Sequence, residues 1–294
     1  MNVFSFLSFL DSIQADNLVA LNIVSEAYEL KRALLVHAFV EGGIHTESYQ
    51  YILKSLFGED SDLINFVYYR FKTFEPLKKR NELIANIYQE LYTQVQKGIP
   101  DKEKYYIALF KNLVQDYILE GVIFYMGFML FHLFYYRKNV LSGTNKEITL
   151  IRRDEQLHIG LFKKLIKTFE QEYSKYYKEE VIYGIAEASA LADIAFYQEA
   201  IGDNILGIDA KQIELYIKYL TNKRLEFLGL KPLFSGNIYN PFQEIENAIG
   251  YTHGEESQRK DNFFEASTTD YIHTSNYNWD KIYSIDLKDI DFSE

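Results

Sequence analysis

Apolar residues recur at intervals of three and four through roughly 3–24, 27–57, 60–73, 77–98, 103–138, 145–173, 179–202 and 209–228. That is the period of one face of an α-helix, and the strict alternation of a half-buried strand is rare. Only four prolines interrupt the chain, at 76, 100, 232 and 241, so long helices can run unbroken. The pattern predicts an all-α bundle. In S-G-T-N-K-E at 142–147, Thr144 or Asn145 is placed to cap a helix, with Glu147 in its first turn. The main break is K-P-L-F-S-G-N-I-Y-N-P-F at 231–242, which combines both late prolines with glycine and asparagine.

Beyond that break the periodicity stops. The chain divides into a helical domain, 1–242, and a C-terminal segment, 243–294, that reads as an extended, partly disordered tail. The tail still carries Tyr271, Tyr277, Trp279, Tyr283 and Phe292. A spacer needs no such aromatics, so the tail is expected to bind a partner.

Composition narrows the chemistry. The 294 residues are 48% hydrophobic, enough for a large core. The net charge of −11 argues against a nucleic-acid surface. With no cysteine, disulfides, thiolate ligands and cysteine nucleophiles are excluded, and any metal must be held by carboxylate, imidazole, carbonyl or water. The opening run M-N-V-F-S-F-L-S-F-L-D lacks a basic start and ends at Asp11, too short to span a membrane. The expected location is cytoplasmic, away from any membrane.

Glu155 and His158 lie three apart in R-D-E-Q-L-H, so both side chains meet on one helix face. Ile151, Leu157 and Leu161 make their surroundings apolar. Glu120 is the only acid in an apolar stretch from 117 to 131, and a lone buried carboxylate is unfavourable unless paired or metal-bound. In V-E-G-G-I-H-T-E-S-Y at 40–49 the same idea looks damaged: three residues before His45 stands Gly42, and the glutamate, Glu41, comes one place earlier. His37 reads as a core or surface histidine and His132 as structural. Asp11 alone reads equally well as a cap or a surface acid.

Taken together, D-S-I-Q at 11–14, G-I-H-T-E-S-Y at 43–49, L-E-G-V-I-F-Y at 119–125, I-R-R-D-E-Q-L-H at 151–158, Y-I-K-Y-L-T-N-K-R-L-E-F-L-G-L at 216–230 and N-P-F at 240–242 resemble, in order and spacing, the small radical-generating (beta) subunit of class I ribonucleotide reductase. N-F-F-E at 262–265 is similar to that family's C-terminal region. The resemblance implies a ferritin-like bundle, a homodimer, a dinuclear iron or manganese site and a large-subunit partner bound through the tail. In that family the metals oxidise a tyrosine, and the radical passes to the large subunit, where ribonucleotides become deoxyribonucleotides. By the same resemblance Asp11, His45, Glu120, Glu155 and His158 match metal ligands, and Tyr49 matches the radical tyrosine. Phe124, Phe128 and Ile151 match its apolar pocket. Asp154 matches the acid that orients a ligand histidine. Tyr277 or Tyr283 would serve as the relay residue in the tail.

Two departures stand out. The family's bridging glutamate falls on Gly42. On a regular helix Glu41 is rotated by about 100° from that position. A π-bulge would swing it inward, and Gly42 and Gly43 make such distortion easy. Without it the dinuclear site is incomplete, with two histidines and three carboxylates. The chain also begins at the segment matching D-S-I-Q, without the family's N-terminal region and its relay tryptophan. Either a separate chain supplies that part, or the relay differs. The alternative to an active subunit is a non-catalytic scaffold, or a metal-free variant with a modified tyrosine radical.

Overall fold

The computed structural model describes residues 2–58, 61–201 and 207–249. Among these there are helices and no β-strand. α1 spans Asn2–Val24. α2 (Tyr28–Phe39), a π-helical turn (Val40–His45) and α3 (Thr46–Phe57) follow as one rod. α4 (Ser61–Thr73) and α5 (Glu75–Gln96) come next. α6 (Lys102–Ile118), a second π-helical turn (Leu119–Ile123) and α7 (Phe124–Lys138) make another rod. α8 (Ser142–Glu172), α9 (Glu179–Ile201), α10 (Ala210–Phe227) and the short α11 (Gln243–Ile249) complete the bundle. The first eight rods follow the eight periodic segments of the sequence to within three residues at each end. α11 falls beyond them, inside the compact unit Met1–Ile249. Residues 250–294, with Tyr277 and Tyr283, lie outside the described residues.

Local signals account for several helix ends. Asp101 caps α6, its Oδ1 accepting from the backbone N–H groups of Glu103 and Lys104 at 3.1 Å each. Asp209 and Gln212 form a reciprocal capping box at α10. Proline sits in the first turn of α5, where a missing N–H costs nothing. α7 stops at Asn139, which adopts a left-handed conformation at φ 53°. The expected cap at α8 is corrected: the helix already begins at Ser142, with no side-chain cap. Asn145 is drawn away, its Oδ1 lying 2.8 Å from His132 Nδ1.

The α6–α7 rod is the spine. By length and composition Lys102–Lys138 would cross a membrane, but 94% of its most apolar window is buried inside the bundle, so it is a core helix. α6 packs on α5, α8 and α9, and α7 on α8, while α1 packs on α2, α3, α4 and α5. At one end, Phe6 meets Phe196 edge-on at 5.5 Å, and the Arg80 guanidinium lies 4.4 Å from both rings. Arg80 is paired with Asp193 at 2.7 Å, both fully buried. A buried pair of this kind is a weak stabiliser but heavily penalised if one partner is removed. This packing brings buried polar side chains together in the bundle from α1, α2, both π-helical turns and α8.

Candidate metal centre

Each π-helical turn carries one glutamate into that group. In the first, the Thr46 backbone N–H reaches back five residues to the Glu41 carbonyl, and the Thr46 hydroxyl donates to the same oxygen at 2.9 Å. The extra residue in the turn rotates the side chains that follow the α-helical register. Glu41 is fully buried, whereas Gly42 is exposed. A Cβ on Gly42 would meet the Cβ of Ala15 at 3.2 Å, and one on Gly43 the Phe39 ring at 3.2 Å. The second turn presents Glu120, fully buried, and all five of its residues are inaccessible to solvent.

Around these two glutamates the bundle gathers Asp11 from α1, His37 from α2, His45 from the first turn, and Glu155 and His158 from α8. His37 Nε2 lies 3.3 Å from Glu41 Oε1 and 3.0 Å from Glu120 Oε1. His158 Nδ1 lies 3.0 Å from Glu41 Oε1, 3.7 Å from Glu120 Oε2 and 2.8 Å from Glu155 Oε2. His45 Nδ1 lies 3.7 Å from Asp11 Oδ2, 3.4 Å from Glu41 Oε2 and 3.4 Å from Glu155 Oε1. Its other nitrogen, Nε2, is 3.1 Å from Asp154 Oδ2, and Asp154 is 36% exposed. The cluster thus touches the surface through His45 and Asp154.

Two sets of ligand atoms fall within 4.8 Å of one another: His37, Glu41, Glu120 and His158 in one, Asp11, Glu41 and His45 in the other. Glu41 belongs to both. Both oxygens of Asp11 and of Glu41, Glu120 Oε2, Glu155 Oε1 and His45 Nδ1 are buried and have no hydrogen bond among the described residues. Four carboxylates facing one another in a dry core are strongly unfavourable unless neutralised. Two divalent cations would carry the charge to do so. An oxygen-rich donor set with imidazole suits iron or manganese, so the residues present fit a metal pair.

The protein's own charges divide the cluster. Burial is the largest influence on Asp11, Glu41, His45, Glu120, Glu155 and His158. It prevails at Asp11 and Glu155, whose pKa values are raised, with repulsion from Glu41 adding to it. It is outweighed at Glu41, held well below the usual carboxylate range by His45, His158 and His37. At Glu120, burial and Glu41 push upward, but His158 and His37 hold the pKa at about 2. Burial would lower the histidines, yet Glu41 and Asp154 hold His45 well above its usual range, and Glu120 and Glu41 hold His158 at about 10. Cations entering the cluster therefore displace protons.

Tyr49, on α3, is fully buried, and its hydroxyl has no hydrogen-bond partner among the described residues. Burial, with repulsion from Asp11, Glu155, Glu41 and Glu120, raises its pKa well above the usual phenol value, so it is a neutral phenol close to the carboxylates. Phe124, Phe128 and Ile151 are buried, the two phenyl rings stacked at 6.0 Å. His132, taken as structural, is buried on α7 apart from the cluster.

Sequence reading missed a group behind Glu120. Gln14 Nε2 donates to Glu120 Oε1 at 3.0 Å, and the Tyr88 hydroxyl lies 2.8 Å from Gln14 Oε1 and 2.5 Å from Asp116 Oδ1. Asn17 Nδ2 donates to both Asp116 oxygens, at 3.1 and 2.9 Å. This network holds Glu120 through Oε1, the same oxygen that faces His37 Nε2. It joins α1, α5 and α6, and no spacing along one helix announces it. His37, read as a core or surface histidine, is buried and belongs to one of the two sets of ligand atoms; His37, Glu41 and His45 repeat at intervals of four, the spacing of one helix face.

A helical bundle closed around a buried carboxylate–histidine cluster is the architecture of the ferritin-like dimetal proteins. Comparison with known proteins sharpens this. The family model described as ribonucleotide reductase, small chain, matches residues 1–241. The ribonucleoside-diphosphate reductase subunit beta of Treponema pallidum is 32% identical over 276 residues, covering 93% of this chain and 74% of the relative. The ribonucleotide reductase R2 subunit of Clostridium botulinum superposes with a TM-score of 0.74 at 31% identity, over 84% of this chain and 75% of that one. The dimanganese(II)-NrdF protein of Streptococcus sanguinis gives 0.60 at 25% identity, over 84% and 81%. The chain belongs to the small-chain family of ribonucleotide reductase. It is a beta-type subunit of that enzyme, of the kind that works with a large subunit, and it carries a buried histidine–carboxylate metal cluster.

Proposed function

We propose that this subunit generates and stores a radical on Tyr49 and passes it to the large subunit for reduction of ribonucleotides to deoxyribonucleotides. Asp11, Glu41, His45, Glu120, Glu155 and His158 would hold two metal ions, iron or manganese, with Glu41 taking the role of the glutamate lost at Gly42. The observation that carries this reading is the sharing of Glu41 by both groups of ligand atoms. A bound metal pair supplies the oxidant for Tyr49. The chain's residues do the rest. Tyr49 is kept neutral and dry, which protects a phenoxyl radical from water and reductants. Phe124, Phe128 and Ile151 add apolar bulk to that region of the core. Asp154 fixes the His45 ring through Nε2 and marks the way from the cluster to the surface.

Exposed apolar side chains on the α2–α3 rod, among them Val36, Phe39, Ile44 and Tyr51, support a homodimer built on that side. The tail, with Tyr277 or Tyr283 as relay, is the proposed contact with the large subunit, and the cytoplasm the proposed location. The scaffold and metal-free readings are weakened by four inward carboxylates, which neither role needs. The test is electron paramagnetic resonance after metal loading and exposure to oxygen. A tyrosyl signal that disappears in Tyr49→Phe while metal content stays unchanged supports the proposal. A signal that survives in Tyr49→Phe refutes it.

A further inference from the structure

We infer that His37 is itself a metal ligand, so that one of the two metal positions is held by two imidazoles and the other by one. The inference rests on the dimetal reading above and extends it. Three observations carry it. First, His37 is buried and its Nε2 points at the same two carboxylates, Glu41 and Glu120, that face His158. Second, the His37 and His158 rings stack with centroids 3.5 Å apart and planes 28° apart, so the two imidazoles enter the cluster side by side from different helices. Third, His37 completes the four-membered group with Glu41, Glu120 and His158, whereas His45 is the lone imidazole of the group with Asp11 and Glu41.

A purely structural histidine in this place is a poor alternative. Its ligand atom lies within 4.8 Å of those of Glu41, Glu120 and His158, so as a mere hydrogen-bond donor it would crowd the place that a cation held by those three would take. As a ligand, Nε2 exchanges a proton for an ion that satisfies both carboxylates at once. The spacing explains how the site tolerates Gly42. His37, Glu41 and His45 stand at intervals of four, and the π-helical turn holds all three inward. A His-x-x-x-Glu-x-x-x-His ladder thus replaces a Glu-x-x-His pair, with Gly42 left on the exposed side.

The two positions therefore differ. With two nitrogen donors, the His37 position favours metals later in the first-row affinity series more than the Asp11 position does. The test uses the full chain loaded anaerobically with manganous ion and freed of loose metal. Manganese per chain is counted, and the spectrum is read for an exchange-coupled pair. We expect two coupled ions in the wild type. In His37→Gln we expect one tightly held, uncoupled ion, the other weakened by more than the about 10- to 100-fold that loss of an outer-sphere partner causes. Two ions of unchanged affinity in His37→Gln would overturn the role of His37 and leave the dimetal reading standing. No bound ion in the wild type would overturn both. A second measurement does not depend on how the variant folds: nitrogen couplings to manganese in wild-type chain carrying 15N-histidine. Three coupled imidazoles per pair support the inference, and two overturn it.

Discussion

The two π-helical turns do the same work by different means. Leu119–Ile123 is buried on all sides in the spine of the bundle, and Glu120 is the only acid between residues 117 and 131. Val40–His45 lies at the edge, with Gly42 and Ile44 exposed and only Glu41 and His45 turned inward. In the first case any local geometry places the glutamate in the core, because everything around it is buried. In the second the geometry decides. With regular α-helical winding Glu41 would turn away, and the extra residue of the turn brings it in. An apolar setting makes a ligand legible from composition, whereas a polar edge makes it depend on one backbone irregularity.

The largest effect that separates the two turns is on metal content. Glu41 serves both groups of ligand atoms and Glu120 one. Glu41→Ala is expected to weaken both metals, each by more than about 100-fold. Glu120→Ala is expected to weaken one of them strongly and spare the other. Metal counts and titrations on the two variants decide it, and equal losses would erase the distinction.

Packing separates the turns next. A Cβ on Gly121 would meet Arg224 Cδ and Nε at 2.9 Å, and Arg224 Nε donates to the Gly121 carbonyl at the same distance. Gly121→Ala therefore overpacks a buried contact and is expected to destabilise the fold by about 1–3 kcal/mol in denaturant unfolding. At Gly42 the only close neighbour is Ala15 Cβ at 3.2 Å, on the exposed side. There Gly42→Ala is expected to change stability by less than about 1 kcal/mol, the helix-propensity gain offset by that contact. A Gly42→Glu side chain would start against Ala15 of α1 and is not expected to restore an extra ligand. These are the smallest effects in the comparison.

Between them in size lies a pH effect from the rod that follows the second turn. Burial, and then the Arg152 charge, lower the His132 pKa from its ordinary 6.5 to about 3. Between those values the unfolded chain takes up a proton that the folded chain refuses. This group's contribution is present above pH 6.5 and is lost as the pH falls towards 3, by up to about 1.4 kcal/mol per pH unit. His132→Gln is expected to lose less stability than the wild type between pH 7 and pH 5, measured by denaturant unfolding. An equal loss would show that His132 does not govern acid sensitivity.

Much of this was legible in the sequence. Eight helical rods follow from periodicity and the scarcity of proline. Glu120 follows from its isolation among apolar residues, and Glu155 with His158 from their spacing of three. α11 was not legible, because seven residues carry too little periodicity to stand out after two prolines. The place of His37 beside Glu41 and Glu120 was not legible, because it stands four residues before Glu41 rather than at the Glu-x-x-His spacing of three. The Gln14, Tyr88 and Asp116 network was out of reach, since its members come from three helices and meet only after packing. Long-range polar contacts leave no local signature, and a π-helical turn leaves only a weak one, here a pair of glycines.

The most direct test is anomalous diffraction at the manganese edge from crystals of the manganese-loaded protein. Two peaks per chain are expected, with the Glu41 carboxylate between them and the backbone π-helical from Val40 to His45. A single peak, or two peaks with Glu41 turned out to solvent on a regular helix, would contradict the account.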